Sequence, residues 1–464
     1  MEPDALRKNL PAVSRLLDDP ALAEILSRAG RSLVTDLIRD ELLGLRARLS
    51  EGTLDRPIPS PSEMAAVVAA RADRLLAPSP RVVINATGVV VHTNLGRSVL
   101  SLAAAKRVAE AAARYLDLEY DLETGGRGER MTHLDGLLRR LFSGWRALAV
   151  NNNAGAILLA LRALAKGREV VVSRGELVEI GGSFRVPEIL AASGAKLKEV
   201  GTTNRTRAAD YEAAIGPKTG LLLKVHTSNF KIVGFAEETS VGALAAIGRA
   251  RGVPLVVDWG SGDLVDLGAH GVRDEMPVAS ILEQGADLVT FSADKLLGGP
   301  QAGLAVGRED LVRRMGKDPM ARVLRLDRLQ IAALRETLAA YVAGRAFEEV
   351  PTLRMISLPA EEIGRRAEAV ARAAERLAPS LRWRLEAGVS RTGGGSSPAG
   401  EVPTTLLSIE DPSGDAGRLE LRLRRGDPPV VARVNGGKLL LDLRTVLPDQ
   451  DPALAGRLAS ILVG

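Results

Sequence analysis

The stretch Ala286-Asp287-Leu288-Val289-Thr290-Phe291-Ser292-Ala293-Asp294-Lys295-Leu296-Leu297-Gly298-Gly299-Pro300-Gln301-Ala302-Gly303 decides the fold. Residues 286–291 read as a strand. The strand ends in a polar turn, presents one lysine, and passes through glycines into a further apolar run, Leu304-Ala305-Val306. A lysine held at the end of a sheet strand can form a Schiff base with an aldehyde cofactor. Ser292, three residues earlier, is placed to hydrogen-bond a phosphate. Taken alone, Lys295 would be an ordinary surface lysine.

Two upstream segments change that reading. Val256-Val257-Asp258-Trp259-Gly260-Ser261-Gly262 puts a carboxylate at the C-terminal end of a buried strand. Val150-Asn151-Asn152-Asn153-Ala154-Gly155-Ala156 marks a strand-to-helix junction, where the N–H groups of Asn153, Ala154 and Gly155 and the helix dipole suit a phosphate. Asparagine turns are usually caps and strand-end aspartates are often structural. The order phosphate turn, Asp, Lys nevertheless resembles that of the aspartate-aminotransferase-like pyridoxal phosphate enzymes of fold type I. In such enzymes an Asp keeps the ring nitrogen protonated, so that the ring acts as an electron sink. No Walker lysine motif and no Gly-x-Gly-x-x-Gly after the first strand competes.

Outward from this centre, short β-branched runs alternate with amphipathic helices. Strands are expected over 148–150, 169–172, 198–200, 221–226, 255–258 and 286–291, and helices over 154–164, 186–193, 209–215 and 241–251. Such alternation implies a parallel, doubly wound α/β sheet. Residues 1–78 form a separate helical domain, with helices over 6–17, 21–29, 32–49 and 62–76 and a proline-rich linker at 56–62. Residues 79–345 are the large catalytic domain. Residues 346–464 form a smaller α+β domain: helices over 360–377, 416–425 and 451–463, strands over 381–385 and 404–409, and a hairpin from 430 to 443 around Asn435-Gly436-Gly437.

The chain has 464 residues, 46% hydrophobic and 26% charged, which excludes a disordered or collagenous protein. It has no cysteine, so disulfides, cysteine-ligated metal sites and thiol catalysis are excluded. No metal is expected. No stretch approaches the ~18 apolar residues of a membrane span, and the acidic start Met1-Glu2-Pro3-Asp4 lacks a signal core. A cytoplasmic protein without membrane contact is therefore expected. The net charge of +5 suits a polyanionic partner such as nucleic acid, or a basic proteome bias.

Further segments narrow the likeness. They are Val83-Ile84-Asn85-Ala86-Thr87-Gly88-Val89-Val90-Val91-His92-Thr93-Asn94-Leu95-Gly96-Arg97, Glu176-Leu177-Val178-Glu179-Ile180-Gly181-Gly182-Ser183-Phe184-Arg185, Arg322-Val323-Leu324-Arg325-Leu326-Asp327-Arg328, and Gly393-Gly394-Gly395-Ser396-Ser397-Pro398. With the lysine segment, they resemble bacterial selenocysteine synthase, the L-seryl-tRNA(Sec) selenium transferase family, over nearly the whole chain.

The resemblance implies pyridoxal phosphate as cofactor. It also implies β-replacement on a tRNA-borne seryl group: elimination of the hydroxyl to a dehydroalanyl-tRNA, then selenium transfer from selenophosphate. Lys295 would be Schiff base and proton shuttle, and Asp258 the ring-nitrogen partner. Ser292 and the turn at Asn153, Ala154 and Gly155 would serve the cofactor phosphate, and Ser228 and Asn229 its ring hydroxyl. Arg97, Arg322 and Arg325 match the family's anion-binding arginines; Arg322 and Arg325 share one face if that segment is helical, though ion pairs with Asp318 or Asp327 are the alternative. The N-terminal arginines Arg7, Arg15, Arg28, Arg31, Arg39, Arg46 and Arg48, with Lys8, would grip the tRNA. The assembly would be a homo-oligomer, at least a dimer and by resemblance a decamer.

Other readings stay open. His226 is a cofactor-face residue or a structural donor. Arg444 is structural or an RNA contact. The whole chain could instead be a related pyridoxal phosphate lyase acting on a small amino acid or amino-sugar acid, or a catalytically silent tRNA-binding scaffold.

Overall fold

Seven strands form the central sheet of the computed structural model, which describes residues 10–51, 53, 57–180, 184–230, 232, 234–396, 400–410 and 414–461. The chain divides into two compact units, Met1–Val82 and Val83–Gly464.

The first unit contains the helices Val13–Leu17, Ala23–Ala29, Arg31–Glu51 and Pro61–Leu76. The part of the expected first helix before residue 10 lies outside the described residues. The last helix begins with Ser60 accepting from the Glu63 N–H while the Glu63 carboxylate accepts from the Ser60 N–H, a capping box that fixes its start at Pro61. Leu16, Leu22, Ile38, Leu42, Leu45, Met64 and Val68 meet in its core. Arg15, Arg31 and Arg46 stay on the surface and make no ion pair among the described residues. Arg28, Arg39 and Arg48 are paired to Asp73, Asp36 and Glu41.

In the second unit the strands are β1 (Ile84–Asn85), β2 (Arg146–Val150), β3 (Glu169–Ser173), β4 (Glu179–Ile180), β5 (Phe184–Arg185), β6 (Lys196–Val200), β7 (Thr219–Val225), β8 (Leu255–Asp258), β9 (Leu288–Ser292) and β10 (Gly303–Gly307), followed by β11 (Arg382–Arg391), β12 (Glu401–Glu410), β13 (Val430–Val431), β14 (Arg433–Asn435) and β15 (Lys438–Asp442). The central sheet runs β2-β10-β9-β8-β7-β3-β6. Six of its strands are parallel. β10 is antiparallel to both neighbours, which corrects the expectation of an all-parallel sheet. The cause is the short glycine-proline connection from β9 to β10, which has no helix to carry a parallel crossover.

β8 reads Leu-Val-Val-Asp and is buried on both faces, as central strands between helical layers must be. Each such fully buried aliphatic side chain stabilises by about 1.5–3 kcal/mol. Helices Asn153–Ala165, Val186–Ser193 and Val241–Arg251 begin and end close to their expected limits. The C-terminal sheet runs β11-β12-β15-β14, with its own core from Ile363, Leu407, Leu419, Leu441 and Leu454. Only part of the expected 430–443 hairpin forms. β14 and β15 pair around Gly436-Gly437, but β13 joins β1 in a parallel pair.

Candidate active site

The C-terminal ends of β2, β7, β8 and β9 face one region, the usual ligand side of a parallel sheet. Asp258 closes β8, and its register partners are Val225 of β7 and Thr290 of β9. It is buried. Its Oδ1 accepts from Asn153 Nδ2 at 2.8 Å and from Thr290 Oγ1 at 3.2 Å. Burial raises the Asp258 pKa, opposed by the Asn153 bond, the Lys295 charge and the Thr290 bond.

Lys295 lies three residues beyond β9 and is 7% exposed. Burial pulls its amine below the usual lysine range, against the pull of Asp258. Its Nζ donates to the Gly395 carbonyl at 2.9 Å. Gly260 and Gly395 wall the amine closely: a Cβ at Gly260 would stand 3.4 Å from Nζ, and one at Gly395 only 2.7 Å. Ser98 Oγ donates to the Lys295 carbonyl at 2.6 Å.

The segment before Ser98 brings Arg97 to the same place. Arg97 Nη1 pairs with Asp294 Oδ2 at 2.5 Å. Arg97 is also the one described non-glycine residue with positive φ, at 65°. Strain of this kind persists where surrounding contacts over-determine it, and it collects at functional sites. Here the Arg97 N–H donates to the His92 carbonyl and the side chain is tied to Asp294.

Other expected residues fall differently. Asn153 and Ala154 open the helix after β2, but the Gly155 N–H is taken by Asn152 Oδ1 at 2.7 Å, because Asn152 is the N-cap. Ser292 ends β9 and is buried. Ser228 is buried with an unpartnered Oγ. Asn229 is exposed and donates to the Glu179 carbonyl at 2.7 Å, which ties it to β4. His226 stacks on Trp259 at 3.9 Å between ring centres. Its Nδ1 is buried without a hydrogen bond, 3.9 Å from Glu275. Burial, helped by the charges of Lys224 and Lys295, lowers its pKa to about 4, so the ring is neutral at neutral pH. Buried unpartnered atoms on Asn153 (Oδ1), Ser228 (Oγ) and His226 (Nδ1), with the buried Lys295 amine and the Asp258 carboxyl, fit a polar ring-and-phosphate cofactor such as pyridoxal phosphate.

Arg322 and Arg325 do not share a helical face. The helix Pro319–Val323 stops at Leu324, and Arg325 instead bridges β2 at Val150. Both line a cavity of about 380 Å³ whose wall contains neither Arg97 nor Lys295. Arg325 pairs with Glu119 at 3.2 Å rather than with Asp318 or Asp327. Arg444 is 1% exposed. It donates to the carbonyls of Met355, Ile356, Leu358 and Pro403 and to Ser390 Oγ. It is therefore structural, not an RNA contact.

Four contributors escaped the sequence reading of individual residues: Ser98, Thr290, Trp259 and the Gly395 carbonyl. Trp259 and Thr290 adjoin the quoted strands, so proximity was a usable signal. Ser98 and Gly395 arrive from distant segments, and only the recurrence of glycines at 393–395 hinted at a close backbone approach. Among the described residues no cluster of His, Cys, Asp and Glu could hold a metal. Among the same residues no helix is long and apolar enough to cross a membrane.

With this geometry in view, the comparisons are specific. Residues 83–447 match the SelA family, L-seryl-tRNA selenium transferase. Residues 7–46 match the N-terminal segment of selenocysteine synthase. The L-seryl-tRNA(Sec) selenium transferase of Moorella thermoacetica is 49% identical, covering 100% of this chain and 98% of that protein. The enzyme of the same description from Geobacter sulfurreducens is 47% identical over 97% of this chain and 98% of its own length. Among solved structures, that of D-glucosaminate-6-phosphate ammonia-lyase aligns with a TM-score of 0.58 at 20% identity, covering 84% of this chain and 97% of the other, a likeness of fold. The architecture is a doubly wound α/β sheet with a smaller C-terminal sheet, and the chain belongs to the L-seryl-tRNA selenium transferase family.

Proposed function

We propose that this protein converts seryl-tRNA(Sec) to selenocysteyl-tRNA(Sec), with selenophosphate as the selenium donor and Lys295 and Asp258 as the central residues. The observation that carries the residue assignment is the pairing at one sheet end of a buried, pKa-depressed amine with a buried carboxylate. Pyridoxal phosphate is the expected cofactor, and when bound it supplies an electron sink for a carbanion at the seryl Cα.

Lys295 Nζ would hold the cofactor aldehyde and move the Cα proton; burial pulls its amine below the usual lysine range, which favours both tasks. Asp258 receives the ring nitrogen. Asn153 and Thr290 both occupy Oδ1, which leaves Oδ2 for that bond. Ser228 and the Asn153–Ala154 turn serve the cofactor's polar groups, with Ser292 beside them. Asn229, tied to Glu179, is a weaker candidate for the ring hydroxyl. The seryl Cβ–O bond breaks and the hydroxyl leaves as water. A Cβ–Se bond then forms and a proton returns to Cα, while the Se–P bond of selenophosphate breaks with water taking the phosphoryl group as inorganic phosphate. Arg97, Arg322 and Arg325 hold the donor anion, since guanidinium forks suit phosphate-type oxygens.

In the same reading residues 1–78 grip the tRNA, through Arg15, Arg31 and Arg46 first, because among the described residues their charges are not spent on ion pairs. Residues 79–345 and 346–464 form the catalytic and small domains of a cytoplasmic homo-oligomer, a dimer or larger ring such as a decamer.

The test is direct. Purified enzyme with bound cofactor is incubated with serine-charged tRNA(Sec) and selenophosphate, and the tRNA-borne amino acid is released and identified. Selenocysteine is expected. Unchanged serine under conditions where cofactor is bound would overturn the assignment.

A further inference from the structure

The cavity holding Arg322 and Arg325 contains more positive charge than the anion assignment uses. Arg127 and Arg130 also line it, so four guanidinium groups face one space of about 380 Å³, against the carboxylates of Glu119 and Glu129. Three of the four converge on one side chain. Glu119 is 2.5 Å from Arg130 Nε, 3.2 Å from Arg325 Nη1 and 3.8 Å from Arg127 Nη2. Arg130 cannot turn away, because its Nη1 also donates to the Leu326 carbonyl at 2.6 Å. Arg322, in the same wall, makes no ion pair among the described residues.

A carboxylate and a phosphate group present similar oxygens to a guanidinium fork. A carboxylate held at the focus of three arginines therefore marks where the oxygens of a phosphate-class anion would sit. It also fixes the arginines before any ligand arrives. The hydrogen bond from Arg130, with the charges of Arg130, Arg325 and Arg127, holds the Glu119 carboxyl below the ordinary range, so it is ionised at neutral pH.

We infer that Glu119 is a resident stand-in for the donor anion: it pre-orders Arg325, Arg127 and Arg130, and a phosphate-class dianion displaces it and takes all four arginines. This rests on the donor assignment above and adds Arg127 and Arg130 as binding residues and Glu119 as the competitor. Two partly exposed carboxylates against four arginines leave a surplus that favours a doubly charged ligand over chloride.

The experiment measures inorganic phosphate binding to the cofactor-loaded enzyme by titration calorimetry at fixed ionic strength, and the KM for selenophosphate in the transfer assay. Glu119→Gln keeps the size and one acceptor oxygen but removes the charge. It is expected to bind phosphate about tenfold tighter and to lower the selenophosphate KM, with the KM for seryl-tRNA unmoved. Arg127→Ala, at an exposed side chain whose loss leaves the core intact, is expected to weaken phosphate about fivefold. A side chain with only a structural role would not tighten an anion when neutralised. Unchanged or weaker phosphate binding in Glu119→Gln overturns the inference, as does unchanged binding in Arg127→Ala. Arg325→Ala separates the two levels. If it leaves phosphate binding unchanged, the donor assignment itself fails; if it abolishes binding while the other two variants behave as wild type, only the present inference fails.

Discussion

Replacing Gly395 by alanine tests whether the glycine-rich loop positions the reactive amine. Gly395 has φ +81°, a backbone region that costs an L-residue about 1–2 kcal/mol. The new methyl would lie 2.7 Å from Lys295 Nζ and 3.1 Å from Cε. Ordinary contact begins near 3.4 Å, so the amine must retreat by about 0.7 Å. The side chain is flexible enough to do so, and the fold should survive with Tm lowered by a few degrees. The chemistry should suffer more, because misplacing a reacting group by ~1 Å costs about 10²-fold in rate. Gly394→Ala is the matched control: its φ is not positive and its nearest neighbour is Thr93 Cγ2 at 3.5 Å. The assay pairs thermal melting with titration of the cofactor's visible absorbance and single-turnover loss of serine from seryl-tRNA(Sec). Gly395→Ala is expected to lose about a hundredfold in rate while Gly394→Ala stays within threefold of wild type. If Gly395→Ala binds cofactor and turns over like its control, the loop does not place the amine and the reasoning fails.

Lys295→Ala should lose the cofactor's lysine-bound absorbance and all turnover; persistence of that absorbance after dialysis against fresh cofactor would assign another lysine. Asp258→Ala should bind cofactor weakly and lose most of the hydroxyl-elimination step, and undiminished elimination would remove Asp258 from the ring-nitrogen role. Arg444→Met strips donors from four backbone carbonyls, those of Met355 and Ile356 buried, and should destabilise by about 3 kcal/mol without a selective loss of tRNA affinity, measured by denaturant unfolding and filter binding. For His226 the folded pKa of about 4 lies below the free value of 6.5, so the unfolded chain takes up the proton first. Stability should therefore fall as pH drops from 6.5 towards 4, by at most about 1.4 kcal/mol per pH unit. His226→Gln should flatten that slope in pH-dependent melts, and an unchanged slope would locate the titration elsewhere.

Much of the fold was legible because its signals are local. Val186–Ser193, Val241–Arg251, Leu255–Asp258 and Ala360–Leu377 begin and end where periodicity, proline and glycine say they should. β10 stood in the sequence only as an apolar run, because strand direction is a property of pairing, although the absence of any helix between β9 and β10 was a usable clue. The same division holds at the site. Asp258, Asn153 and Lys295 follow strand ends, and one sheet brings strand ends together. Ser98 and the Gly395 carbonyl reach Lys295 from about 200 and 100 residues away, a distance no local pattern spans. The helical-face argument for Arg322 and Arg325 failed on a nonlocal event as well, because pairing with Val150 draws Arg325 out of the helix.

Three arginines show why the identity of a charged residue says little until its partners are known. Arg444 is 1% exposed and directs its donors at four backbone carbonyls and one hydroxyl of its own fold, which keeps it from a carboxylate or phosphate ligand. Arg97 makes one ion pair with Asp294, and its side chain stays 39% exposed, so it keeps donors for a ligand beside Lys295. Arg325 is also 39% exposed, but its partner is a carboxylate shared with two other arginines, so a ligand must compete to reach it. Sequence places all three near strand ends or turns and cannot rank them. The number of unspent donors, and the charge that holds them, does: Arg444 supports the fold, Arg97 is available to the reacting groups, and Arg325 is available at the cost of displacing Glu119. That ordering predicts the strongest salt sensitivity for the Arg325 cavity, because both the resident ion pairs and the incoming anion there are only partly shielded from solvent.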